Sequence, residues 1–152
     1  MHKFLSTVAK RKAMAVRVSR VASAALGIPV KLEPSDLYQG EFHFRAEDLE
    51  SERGPVSHIA LDVCPRGVNV HIKFGFRQFS PGDSAKWNHY IWPEPDDTAA
   101  TYADWVEEDL AVILKTVQLR PGVVRADRPS MRDCWRVERE TFAAECAARM
   151  NP

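Results

Sequence analysis

Val68-Asn69-Val70-His71-Ile72-Lys73-Phe74-Gly75-Phe76-Arg77, residues 68–77, decides the fold. Val68, Val70, Ile72, Phe74 and Phe76 alternate with Asn69, His71, Lys73, Gly75 and Arg77. Successive side chains of a strand point to opposite faces, so this period of two predicts a strand, running from Val68 to Phe79, with one face covered. Such alternation belongs to antiparallel sheets that have one packed and one polar face. Working backwards, Pro65-Arg66-Gly67 is turn chemistry, and Ser57 to Cys64 repeats the pattern. There Ile59, Leu61 and Val63 share one face, and His58, Ala60, Asp62 and Cys64 the other. Glu47 to Pro55 is charged and ends in Gly-Pro, which predicts a turn or exposed loop. Before it, Phe42 and Phe44 alternate with His43 and Arg45 in a strand over Glu41 to Ala46. Working forwards, Ser80-Pro81-Gly82-Asp83 is another turn, and Lys86 to Trp92 reads as a fourth strand stopped by Pro93 and Pro95.

Helices flank this meander. Phe4, Val8, Ala15, Val18, Ala22, Ala25 and Leu26 recur at helical spacing, with Gly27 at the cap position and Pro29 beyond it. Residues 31–40 read as a loop. After the sheet, Asp96, Asp97 and Thr98 offer an N-cap to a helix reaching about Arg120, where Pro121-Gly122 ends it. Its stripe is Tyr102, Trp105, Val106, Leu110, Ile113 and Val117. Ser130 with Asp133 opens a last helix with Met131, Trp135, Phe142 and Cys146 on its stripe. The expected fold is α+β: an N-terminal helix, a four-stranded antiparallel meander, and two C-terminal helices, packed on one sheet face.

A chain of 152 residues fits a single domain that needs no staple to fold. Cys64, Cys134 and Cys146 are odd in number and widely spaced, neither a disulfide framework nor a zinc signature. Each reads as a small buried hydrophobe of a protein in the reducing cytoplasm. No apolar run is long enough to span a membrane. Net charge is zero, yet seven of the 21 basic side chains precede the first acid, Glu33. That stretch carries +7 and the remainder −7. The basic helix reads as structural, its cations near the acidic body. Nucleic-acid or anionic-membrane contact and a targeting role are its other readings.

Four features carry the candidate chemistry. His43, Arg45, His58, Asp62, His71, Lys73 and Arg77 share the polar face of the sheet. Matching the apolar faces across the Pro65–Gly67 turn sets Asp62 opposite either His71 or Asn69, so a carboxylate is expected near an imidazole. Trp87-Asn88-His89-Tyr90-Ile91-Trp92 is the densest aromatic stretch, and only one of its faces can enter the core. Asp109 and Glu138 interrupt apolar helix stripes, where a carboxylate is costly unless paired. Each is expected beside an Arg or at a shallow helix edge. No HExxH, GxSxG or glycine-rich phosphate loop occurs.

The reading that follows is a non-enzymatic intracellular module that binds another protein. It would use no cofactor or metal. Its binding surface would be His43, Arg45, Asp62, His71, Lys73, Arg77, Trp87, Tyr90 and Trp92. The element order broadly resembles that of many bacterial toxin-immunity and inhibitor proteins, in architecture and in no motif. The alternatives are a nucleic-acid-associated protein using the basic helix, with weak binding, and a small enzyme using the His/Asp face.

Overall fold

The structure is a computed structural model that describes residues 3–52, 54–74 and 86–120, with the backbone alone for Lys86 and Trp87. Its order is α1 (Val8–Leu26), β1 (Glu33–Pro34), β2 (Phe42–Ser51), β3 (Gly54–Cys64), β4 (Gly67–Phe74), β5 (Lys86–Ile91) and α2 (Ala99–Lys115). The five strands form one antiparallel sheet in sequence order. The fold is therefore α+β, as the alternation predicts. The expected last helix and the Ser80–Asp83 turn lie outside the described residues. Among the described residues no helix is long and apolar enough to cross a membrane.

The local signals explain where the helices start and stop. Lys3–Leu5 forms a separate 3-10 turn, because Thr7 caps α1 by accepting the Lys10 N–H at 3.2 Å. Gly27 closes α1 in the left-handed conformation, φ 69°, and donates its N–H to the Ser23 carbonyl. Thr98 and Thr101 bond reciprocally in a capping box at the start of α2. α2 ends at Lys115, short of the expected Arg120, and Gln118 takes φ 52°. The chain then bridges Leu119 to Ser51 at the edge of β2.

Two departures from the expected sheet have one cause each. Within residues 31–40, Glu33 and Pro34 pair with His43 and Phe42 as a fifth, two-residue edge strand. An edge position leaves the missing proline N–H without cost. Of residues 47–55, the expected turn is confined to the step between Ser51 and Gly54, which pair, and the rest extend the strands. β2 runs on to Ser51, and β3 begins at Gly54. Asp48 at φ 52° and the irregularity between Val56 and His58 reverse which alternate residues face inward. Leu49 and Val56 thereby enter the core, although their numbers oppose the parity set by Phe42 and Ile59.

Both helices cover one face of the sheet. Leu5, Met14, Val18 and Leu26 from the N-terminal segment meet Ile59, Leu61, Val63, Val68, Val70, Ile72 and Ile91 of the sheet, with Val106, Leu110 and Leu114 from α2. Ser19 and Ser23 of α1 bond the backbone of Leu32 and Val30, which holds the following segment along the helix. The basic helix meets the acidic one: Arg17 bonds Glu107 at 2.7 Å and Asp104 at 3.3 Å. This lowers the Glu107 carboxyl, chiefly through the Arg17 hydrogen bond, and raises Arg17 for the same reason. Arg17 is over one-third exposed, so the cluster contributes at most about 1 kcal/mol. Arg11 is buried and donates to the Gly40 and Leu5 carbonyls, so it serves the fold.

Candidate functional site

The face turned away from the helices is a grid set by register. One row across β2 to β5 is His43, Asp62, Asn69 and Tyr90. The next is Arg45, Ala60, His71 and Asn88, followed by Glu47, His58, Lys73 and Lys86. Asp62 thus stands opposite Asn69, the second of the two registers open to the sequence. Its carboxylate is engaged by Arg45, whose Nη2 donates at 2.9 Å, rather than being reserved for an imidazole. A guanidinium one step along the neighbouring strand reaches it with a charge-assisted hydrogen bond. His71 instead sets its ring edge-on to His58, with centroids 5.3 Å apart.

The middle of this face is sheltered. Ala60 is 3% exposed, and His58 Nδ1 and Asn69 Oδ1 are buried without a hydrogen-bond partner. Burial, with His71, Arg45 and Lys73 adding repulsion, lowers the His58 imidazole to about 4. An unfolded imidazole protonates near 6.5. The unfolded chain therefore takes up this proton first, and stability falls as pH drops from about 6.5 to 4. Allowing for solvent screening, His58 should account for about 1–2 kcal/mol of that loss. Urea midpoints at pH 7 and 4.5 check this: the difference should shrink in His58→Gln. An unchanged difference would assign the acid sensitivity to other groups.

At the end of the face the surface opens. Tyr90 and Trp92 are 36% and 55% exposed and stack with centroids 5.3 Å apart. Partial burial raises the Tyr90 phenol, with Cys64 and Asp62 adding to the shift. Burial also raises the nearby Glu41 carboxyl, with Asp62 reinforcing it and Arg11 and Arg66 opposing. Register sorts the aromatic strand: Ile91 is buried opposite Val68, while Tyr90 lies on the outer face opposite Asn69. The backbone of Trp87 pairs with Ile72, on the helix-covered side. Arg77 lies outside the described residues.

No family model, no curated protein and no solved structure matches the chain. His58 and His71 lie together with cations, and Asp62 is held by Arg45, which is no working acid–base pair. Among the described residues no three His, Cys, Asp or Glu side chains could hold a metal ion.

Two features escaped the sequence reading. Asp109 finds its partner in His89 of β5, Nε2 to Oδ2 at 2.9 Å, instead of in an arginine. Trp105, one turn earlier in α2, is 48% exposed rather than packed. The second feature is Leu37-Tyr38, exposed in the loop before Glu41, whose N–H donates to the Tyr38 carbonyl. Two large apolar side chains between Asp36 and Gln39 were the available signal.

Proposed function

We propose that the chain is a non-enzymatic module of the reducing cytoplasm that binds another protein, in the manner of an immunity or inhibitor protein. The observation that supports this most is the exposed Tyr90–Trp92 stack at the end of β5. Tyr and Trp are preferred interface anchors, since they add large contact area while freezing few rotamers. Arg45, with His43 and Asp62 beside it, supplies a charged rim that would favour the correct partner and speed its association. His71 and Lys73 lie further in, where the face is half-buried, and would set the local potential rather than make first contact.

The test is calorimetric titration against the partner recovered by pull-down from the native host. Trp92→Ala should weaken binding by about 2 kcal/mol or more, roughly thirtyfold, with an unchanged melting curve. Tyr90→Ala should weaken it less, because Tyr90 is the less exposed of the pair. Full affinity in both variants would remove the stack from the interface.

A second reading has its own observation. Lys12 and Arg20 of α1 are exposed, so a cationic strip faces outward. Phosphate contact there would be weak and would collapse between low and physiological salt. Submicromolar nucleic-acid binding at physiological salt would put this reading first.

A further inference from the structure

We infer that the outer surface of the helix layer is a two-fold interface with a second copy of this chain, α1 of each copy lying on α2 of the other. Among the described residues, the large apolar side chains left exposed fall into two groups. Leu37, Tyr38, Tyr90 and Trp92 belong to the sheet and its loops. Val8, Val16, Trp105 and Val112 are carried by the two helices. Val16 is 56% and Val112 67% exposed. Neither serves the core, because Val18 of α1 and Val106 and Leu110 of α2 point into it from the other sides of their helices.

Each helix frames its exposed apolar residues with one sign of charge. On α1, Lys12 and Arg20 each stand four residues from Val16, and the helix holds no acid. On α2, Glu108 stands three residues from Trp105 and four from Val112. The seam between the helices is closed within one copy by Arg17, Glu107 and Asp104. Lys12, Arg20 and Glu108 take no part in the ion pairs among the described residues, and Arg20 acts on Glu107 only at longer range. A second copy, turned about an axis along the seam, sets Lys12, Val16 and Arg20 over Trp105, Glu108 and Val112 of the other copy. The same contact then forms a second time, so the assembly closes at two. Apolar meets apolar and each charge meets its opposite. Ala9, Ala13 and Ala24 keep the exposed side of α1 low enough for a helix to approach.

Two magnitudes define the contact. α1 has 19 residues, so the layer is about 28 Å long and, at two helices, about 20 Å wide. Covering it buries roughly 1,100 Å² over both copies, at the low end for a specific interface, so the dimer is a weak one. A phosphate backbone is the poorer occupant. Asp104 and Glu108 lie on the same layer as Lys12 and Arg20 and would repel it, and Val16, Trp105 and Val112 would stay in water. The contact leaves the outer sheet face and the Tyr90–Trp92 stack open, so it stands or falls independently of the partner reading.

Sedimentation equilibrium of the full chain, loaded from about 1 µM to 1 mM, tests it. The mass should rise from that of the monomer and level off at twice that value. Val16→Asp and Val112→Asp place a charge at exposed positions. Each should weaken dimerisation about tenfold or more with an unchanged circular dichroism spectrum. Charge reversal then tests the pairing. Lys12→Glu/Arg20→Glu and Glu108→Lys should each remain monomeric alone. An equimolar mixture of the two should dimerise, because the mixed pair contains one fully reversed contact and one parental contact. A parent that stays monomeric throughout overturns the proposal, as does a mass that climbs past the dimer or a mixture that associates no better than its components. A monomeric parent that binds a short DNA duplex at physiological salt overturns it in favour of the nucleic-acid reading.

Discussion

A chain lacking residues 1–26 should show no cooperative unfolding transition. The deletion removes α1 and the turn before it, and with them Leu5, Met14, Val18, Ala22 and Leu26, all buried in the shared core. Burying a large aliphatic side chain contributes about 1.5–3 kcal/mol. Four of these residues are that large, so about 8 kcal/mol of burial disappears. Net stabilities of whole domains are about 5–15 kcal/mol. The deletion also strips the cover from the inner face of β2 and β3 and leaves Glu107 without Arg17. Thermal and urea melts of the truncated chain, followed by far- and near-ultraviolet circular dichroism, are the measurement. A sigmoidal transition at the parental midpoint would mean that the helix is dispensable to the fold. Its basic composition would then call for a targeting explanation.

How far the sequence carried depended on whether a signal was local. The alternation from Val68 to Phe74 was legible because α1 and α2 pack on one face of the sheet, so that side chains apolar and polar in turn mark the two faces. The caps were legible because Gly27 and Thr98 act within one turn of themselves. Residues 47–55 misled because the inward parity changes at Asp48 and Ser57, so Leu49 and Val56 looked out of phase with their strands. A reversal at a positive φ is a backbone event, and an aspartate does not announce it. β1 was hidden for a different reason: two residues, one of them proline, hold no period.

The site divides along the same line. Register arithmetic narrowed the neighbours of Asp62 to two, and the structure selected Asn69. It could not foresee that Arg45 would reach across, since long side chains leave their own row. Asp109 was visible as a carboxylate on an apolar wheel, but His89 lies on a different element and carries no sequence link to it. The polarity of His58 was correct, and its burial was invisible, because burial depends on what stands beside a residue in space.

Tyr102→Ala should cost about 3–5 kcal/mol, which is the range for truncating a buried aromatic side chain. Tyr102 is wholly buried where three segments meet. Its ring stacks on Phe4 of the N-terminal turn at 5.7 Å, and its hydroxyl donates to the Ile91 carbonyl at 2.7 Å. Burial, the largest influence, pushes the phenol up to about 12, so the hydroxyl stays a donor throughout the working pH range. Gly67 at the start of β4 completes the junction. A Cβ there would stand 3.0 Å from the Ile91 carbonyl oxygen, so any side chain would crowd that carbonyl, on a backbone at φ 157°. Tyr102→Phe separates packing from the hydrogen bond. It keeps the ring and strands a buried carbonyl, for about 1–2 kcal/mol. Urea midpoints with an unchanged slope would rank parent, Phe and Ala in that order. Equal losses in the two variants would assign the whole effect to the hydroxyl, and losses below about 1 kcal/mol in both would show that the site repacks. Ile91 is also the residue before Trp92. The Phe variant releases the carbonyl that fixes the end of β5, so the Trp92 stack should loosen and partner affinity should fall further than the stability change alone accounts for.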